Sequence, residues 1–214
     1  MTATGRSNPL ATFAIIAVTN AVIQTLLILP QPIFGLNTSL FVILSAISTV
    51  SILLATAGIV GTVLSIDEGP TNLRNGVRQI RPRLWLFLGW TMLWLVLIVA
   101  GLLLWIIPGL IVAAVFPFVG IAIADDNPHP FAANFRAIRA HIGAFVAASA
   151  ATFAILVLMY LVGAALAFLL PGPVAALITW IYVGLIGAWL IRGWVRLYRR
   201  AMAKPDLTPQ TPRV

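Results

Sequence analysis

Cysteine is absent from the chain, which excludes disulfides and thiol chemistry. Charge is almost as scarce: Asp, Glu, Lys and Arg make up 8% of the residues, against roughly 25% in a soluble domain. Lysine occurs once, at Lys204. The long apolar runs contain no ionisable carboxylate, lysine or arginine. Proton relays and ion-coupled transporters usually need such a group inside the membrane, so this absence counts against a secondary transporter, though not against a passive pore or a lipid path. No Ser-His-Asp arrangement, glycine-rich phosphate loop or nucleic-acid motif is visible. No cofactor is expected, and nucleic acid is not an expected partner.

What is abundant is apolar surface. Hydrophobic residues are 61% of the chain and mean hydropathy is +1.07, so the sequence reads as an all-α polytopic membrane protein. The charges that do occur are gathered in four places: Arg6, positions 67–83, positions 125–139 and the tail from Arg192. Between them lie uncharged runs at 7–66, 84–124 and 140–191. Each is too long for one span, since about 20 helical residues cross a bilayer. Each carries one Pro-containing break: Pro30-Gln31-Pro32, Pro108-Gly109 and Pro171-Gly172-Pro173. Three hairpins, and hence six transmembrane helices in a single domain over 1–204, are expected, with a disordered tail at 205–214.

The cations set the orientation. Termini and charged linkers share one side, and the hairpin turns are uncharged; Lys and Arg accumulate on the cytoplasmic side. Both termini are therefore expected inside. Twelve of the thirteen cations are Arg, a bias that points to a GC-rich bacterial genome and so to a bacterial cytoplasmic membrane. The apolar stretch after Arg6 is too long for a signal-peptide core, and Leu27-Ile28-Leu29-Pro30 offers no small-x-small cleavage site. It reads as a retained first helix.

The two linkers repeat one another. Displaced by 58 positions, 67–87 and 125–145 align without a gap and share six identities in twenty-one, at Asp67/Asp125, Pro70/Pro128, Arg78/Arg136, Ile80/Ile138, Arg81/Arg139 and Phe87/Phe145. Chance gives about one or two at average usage. Each copy has an acidic pair, a Pro-marked turn and a short basic amphipathic helix, suited to lying in the interface plane. A parallel internal repeat follows, with a pseudo-twofold along the membrane normal. Reciprocal ion pairs are then expected: Asp67 and Glu68 with Arg136 and Arg139, and Asp125 and Asp126 with Arg78 and Arg81.

Along the chain, Ser7 or Asn8 is a candidate cap for the first helix, which is expected to reach Leu29. Asn20 and Gln24 share a face there, placed to hydrogen-bond Ser or Thr of a neighbour or, alternatively, to line a path. The second helix, about Ser39–Ile66, carries Ser48, Ser51, Ala55, Gly58, Thr62 and Ser65 along one stripe, a candidate central seam. Thr71 is placed to cap the first linker helix, and Pro82 to end or kink it. The third helix, about Leu84–Ile107, has Trp85 and Trp105 near its ends and Trp90 and Trp94 deeper as packing residues. The fourth, Leu110–Ala124, is expected to span only roughly 22 Å, and Pro117 interrupts it, so freed backbone groups must find partners on neighbours. The second linker helix can run on past Gly143 into the fifth span, which has Gly143, Ala147, Ala151 and Ala154 at close-packing spacing. The sixth, about Val174–Ile191, carries Gly184 and Gly187. Beyond it, Arg192, Arg196, Arg199 and Arg200 alternate with Trp194 and Tyr198, a mixture suited to a headgroup layer.

Asp125, Asp126 and His129 raise the question of a metal, but two carboxylates and one imidazole fall short of a converging ligand set; the acids instead suit capping of the second linker helix and pairing with arginines. His141 reads as a surface residue. No catalytic or metal residue is assigned. The candidate binding face is cationic: Arg74, Arg78, Arg81, Arg83, Arg136, Arg139, Arg192, Arg196, Arg199 and Arg200. Its expected ligands are anionic lipid headgroups, with a membrane-protein partner or a second copy as further possibilities.

Ile107-Pro108-Gly109, the acidic pair some fifteen residues later, the helix FAANFRAIRAHIGAF and the closing Leu197-Tyr198-Arg199-Arg200 together resemble the polytopic membrane domain fused to some bacterial glycerophosphodiester phosphodiesterases and found alone in related integral membrane proteins. Members often carry serine where this chain has Asn134. The resemblance implies a fold and a membrane setting; the soluble catalytic barrel of those enzymes has no counterpart in these 214 residues. Three functional readings follow: a non-enzymatic bundle that binds lipid or a partner through its basic face, a transporter or channel component for lipid or a small apolar solute, and an enzyme of glycerophospholipid metabolism at the inner interface.

Overall fold

The computed structural model describes residues 9–29, 38–67 and 72–203. Among them there are helices and no strands. That is the outcome expected for a chain whose backbone polar groups must be satisfied within each segment once apolar side chains surround them. In chain order the α-helices are α1 (Pro9–Ile28), α2 (Thr38–Leu64), α3 (Leu73–Ile80), α4 (Leu84–Leu104), α5 (Ile106–Val115), α6 (Val119–Ala124), α7 (Pro130–Ala140), α8 (Ile142–Leu169) and α9 (Gly172–Met202). Short 3-10 turns at Ser65–Asp67 and Arg81–Arg83 follow α2 and α3. Six stretches are long and apolar enough to cross a bilayer: α1, α2, α3 continued through α4, α5 with α6, α8 and α9.

Three pairs of helices are in contact through named side chains. Gln24 meets Ser48 and Asn20 meets Ser51 between α1 and α2. Between α4 and the α5–α6 span, Gly101 abuts Gly109, Trp94 bonds Val112 and Trp90 stacks edge-on to Phe116. Tyr182 of α9 donates to the Met159 carbonyl of α8 at 2.7 Å, and Trp194 donates to Thr152 Oγ1 at 3.1 Å.

The reversal before α5 is not at its proline, whereas the one before α9 falls at Leu170-Pro171, where the expected Pro171-Gly172-Pro173 break begins. Trp105 is extended (φ −170°, ψ 152°) and turns the chain, so Pro108 is the third residue of α5. Leu170 does the same before α9, and Pro173 lies in that helix's first turn. Proline belongs there because the first turn of a helix has no carbonyl for its missing N–H to serve. The fourth span therefore covers the 19 residues Ile106–Ala124, roughly 28 Å at the usual rise, and not the short segment beginning at Leu110. The expected Pro30-Gln31-Pro32 turn, the Ser7 or Asn8 cap, Thr71 and the 205–214 tail lie outside the described residues.

Other boundaries also moved. α9 runs on to Met202, past the expected end at Ile191, because its only interior Gly in that segment, Gly193, costs little and no proline intervenes. Pro82 falls where it was expected to end or kink the first linker helix: α3 stops at Ile80, and Pro82 sits in the Arg81–Arg83 3-10 turn that leads into α4. α7 stops at His141 (φ −142°, ψ 53°), so the second linker helix does not run on into α8. The N-cap of α3 is Asn72, whose side chain accepts from the Asn75 N–H at 2.8 Å.

Packing is tightest at the arginine-bearing end. The fully buried large side chains are Leu64, Phe118, Val119, Asn134, Val195, Tyr198 and Thr62. Asn134 belongs to the linker helix α7, and the others lie in the parts of spans nearest the charged linkers. At the other end Leu103, Leu104 and Phe168 are 82–90% exposed. α9 is the hub, lying against α1, α2, α7 and α8; the serine stripe of α2 is divided between α1 and α3 instead of forming the centre alone. Gly184 admits Ala17, where an added Cβ would stand 2.6 Å from the Ala17 Cβ, whereas Gly187 and Gly143 face open space. Ala147 and Ala154 likewise face outward, because α8 packs on α9 through the Phe145, Ala148, Thr152 and Met159 side, while Ala151 borders an open groove beside α9.

Candidate functional site

The fourth span is broken where the sequence requires it. Pro117 cannot donate a backbone hydrogen bond and its ring excludes a regular helix, so α5 stops at Val115 and α6 begins at Val119. A break in apolar surroundings strands a carbonyl and an amide, each costing about 1–3 kcal/mol if left unpaired. Asn134, on α7 and fully buried, supplies both partners. Its Nδ2 donates to the Val115 carbonyl at 2.8 Å, and its Oδ1 accepts from the Phe118 N–H at 3.0 Å. The sequence demands a partner for this backbone without specifying which residue supplies it. The one signal was an amide placed on the inner face of the amphipathic helix that follows Pro117.

Around the break is a shell of aromatic rings. Phe118 packs on Trp194 at 5.3 Å and on Tyr198 and Phe145 at 6.2 Å. On the other side Phe131 stands edge-on to Trp90 at 5.2 Å and to Phe116 at 6.2 Å. An apolar cleft of about 320 Å³ opens beside the break, between the α4–α6 wall and α8, with Trp90, Trp94, Phe153 and Trp194 in its lining.

At the end of α6 the chain closes in a left-handed cap. Asp126 has φ 56°, its N–H donates to the Ile123 carbonyl at 3.2 Å, and the Asn127 N–H donates to the Ala122 carbonyl at 2.9 Å. This is the Schellman pattern with aspartate in the place glycine usually takes. Asp126 pairs with Arg83 at the entrance to α4. Asp125 lies 3.7 Å from Arg199, whose guanidinium also donates to the Leu64 carbonyl at the end of α2 at 2.8 Å. Asn127 donates to the Tyr198 hydroxyl at 3.3 Å and accepts from the His129 N–H at 3.0 Å. The ends of α2, α6 and α9 and the start of α4 are thus tied together by side chains.

This corrects the expected pairing. Asp126 does reach an arginine of the first linker, but the partner is Arg83, and Asp125 goes to the tail of α9; Arg78 and Arg81 are exposed on the outer side of their helix. Nor do the acids cap α7, whose N-cap is His129 without a side-chain bond. Glu68 and the side chain of Asp67 lie outside the described residues. Arg74, Arg83, Arg136, Arg139, Arg196 and Arg200 are exposed, while Arg192 and Arg199 are half-buried. Among the described residues no three or more His, Asp or Glu side chains converge to hold a metal.

The amides of α1 are engaged with α2. Ser48 Oγ donates to Gln24 Oε1 at 2.7 Å, Gln24 Nε2 donates to the Ser48 carbonyl at 3.2 Å, and Ser51 Oγ donates to Asn20 Oδ1 at 2.8 Å. Thr62 turns back on its own helix, to the Gly58 carbonyl at 2.7 Å. A groove of about 400 Å³ between α1 and α2 includes Asn20 and Ser51, and Gln24 and Ser48 are not part of it.

No family model matches this chain, and neither a curated protein nor a solved structure matches it.

Proposed function

We propose that the chain is a multi-pass protein of a bacterial cytoplasmic membrane, its six spans arranged as three hairpins, with both termini and both arginine-bearing linkers cytoplasmic. In this reading it is a non-enzymatic bundle that engages anionic lipid headgroups, or a membrane-protein partner, through its basic face. The observation that carries it is the gathering of charge and of tight packing at one end: Arg83, Asp125, Asp126 and Arg199 join the ends of different spans there. The reversals at Trp105 and Leu170 carry no charge. Basic side chains at one face favour anionic lipid by about 1 kcal/mol per residue near the surface.

The reading also takes the linkers as a parallel repeat. Two placements support it. α3 lies against the end of α2 through Gly76, where an added Cβ would meet Thr62 Oγ1 at 2.4 Å, and α7 lies against the fourth span through Asn134. Gly76 and Asn134 are the same position in the 58-residue register. Where the span is intact the linker helix presents glycine; where Pro117 breaks it, the linker presents an amide. A shared architecture with the phosphodiesterase-associated membrane domain is part of the same proposal, and it rests on the Ile107-Pro108-Gly109 and Leu197-Tyr198-Arg199-Arg200 motifs.

The absence of cysteine makes the test direct. Single cysteines at His141 and at Gly172 should react with a membrane-impermeant maleimide from opposite sides, Gly172→Cys in intact cells and His141→Cys only after permeabilisation. Lipids that co-purify with the protein should be enriched in anionic phospholipid over the bulk membrane. Labelling of His141→Cys in intact cells, or no enrichment, would reject the reading. A second reading, a path for lipid or a small apolar solute, is favoured by one observation, the 320 Å³ cleft, whose size falls in the range of small-molecule pockets.

A further inference from the structure

The basic face is not uniform. Arg192 and Arg196 are one turn apart on α9, so their guanidinium groups share a side of the helix. Neither has a carboxylate within ion-pair distance among the described residues, although like charges at this spacing repel. They stand beside a groove of about 220 Å³ between α8 and α9, whose remaining wall includes Ala148 and Ala151 of α8 and Trp189 and Leu190 of α9. The opening exists because α8 presents small side chains there. Trp194 braces it: its indole N–H is held by Thr152 Oγ1 at 3.1 Å and its ring packs on Phe118 and Phe145.

The groove therefore has two chemistries in sequence along α9. Two guanidinium groups stand at the end nearer the C-terminus of the helix, and an indole, a leucine and an alanine floor lie one turn toward the uncharged end. A free phosphate would use only the first. A phospholipid of net negative charge uses both, with its phosphate on the arginines through charge-assisted hydrogen bonds and an acyl chain along the apolar floor. Resting on the inner-face reading above, we propose that this groove is a discrete site for one anionic phospholipid. Arg192 and Arg196 bind its phosphate, and the Ala151–Trp189 channel seats the start of one chain.

The test uses the full chain in nanodiscs of phosphatidylcholine containing a minor fraction of phosphatidylglycerol, with retained lipid counted by native mass spectrometry. The wild-type protein should retain one phosphatidylglycerol in preference to phosphatidylcholine. The R192Q/R196Q variant should hold it at least about tenfold more weakly, because both charge-assisted contacts to the phosphate are removed. R74Q/R78Q, which removes equal charge from the same face, should weaken retention less than R192Q/R196Q does. Ala151→Leu keeps every charge but fills the floor, and should also lose the lipid; it remains informative if the double-arginine variant fails to fold by circular dichroism. Retention by R192Q/R196Q or by A151L overturns the site while leaving a general preference for anionic lipid intact. Equal loss in R74Q/R78Q means that only diffuse charge is at work. Displacement by millimolar inorganic phosphate with no effect of A151L identifies a free-phosphate site and overturns the lipid assignment. A wild-type protein with no preference for phosphatidylglycerol rejects both the site and the broader reading.

Discussion

Asn134 carries more of the structure than any other polar residue. It serves a carbonyl and an amide that Pro117 leaves without helical partners, and it does so at full burial. Replacing it with Leu keeps the volume but strands both groups, which should cost about 2–5 kcal/mol. In detergent this appears as a lowered thermal midpoint. Coupling to Pro117 is expected as well. In a Pro117→Ala background, where the helix can recover part of its ladder, the same substitution should cost measurably less, which a double-mutant cycle reads directly. Asp126 offers a second test at this scale. Its φ of 56° is unfavourable for a side chain other than glycine, asparagine or aspartate. Its pair with Arg83 is exposed on both sides and contributes little. Asp126→Gly should therefore be neutral or stabilising by up to about 1 kcal/mol, and Asp126→Val destabilising. A marked loss of stability in the glycine variant would show that the Arg83 pair outweighs the backbone.

At the scale of elements, helices here meet through small residues where the chain must come close and through single hydrogen bonds where it need not. α3 crosses the end of α2 with Gly76 over Gly61 and Thr62; an added Cβ at Gly61 would stand 2.2 Å from the Gly76 carbonyl oxygen. Gly76→Val should detach or displace α3 and lower the thermal midpoint strongly. Gly89→Ala is the control, since an added Cβ there meets nothing within 4 Å; it should gain about 0.5–1 kcal/mol from helix propensity. The same logic separates two arginines of one helix. Arg199 reaches the Leu64 carbonyl at the end of α2 and Asp125, whereas the adjacent Arg200 is exposed. Arg199→Gln should destabilise the bundle, and Arg200→Gln should leave its midpoint within error.

For the whole molecule, the gradient of packing from the charged end to the uncharged end implies a gradient of local stability. Few buried contacts mean low-energy local opening. Amide exchange in nanodiscs should be slowest at 118–124, 133–137 and 195–198. It should be faster at 102–106 and 167–172, near the uncharged reversals. Uniform protection would contradict the picture of a bundle secured mainly at its basic end. The six spans were legible in the chain because about 20 uncharged residues in a row leave little choice of solvent or conformation. The tie of Asn20 and Gln24 to α2 was legible for a related reason, since amides in apolar surroundings must be paired. Turn positions were not. Pro171 did lie in a reversal, but Pro108 marked where a helix restarts, and proline is equally at home in a turn and in the first turn of a helix, so periodicity alone cannot separate the two.

Composition and the spacing of charge thus determined, without reference to any fold, how many apolar helices form and which segments lie between them. Both follow from local chemistry: the cost of exposing apolar side chains to water and of leaving backbone groups unpaired away from it. Which acid meets which arginine, which residue mends the break at Pro117, which alanines face outward and where the chain reverses were decided only in three dimensions. Each of these depends on side chains far apart in sequence reaching one place, as Arg199 reaches Leu64 across 135 positions, and no local pattern encodes that distance.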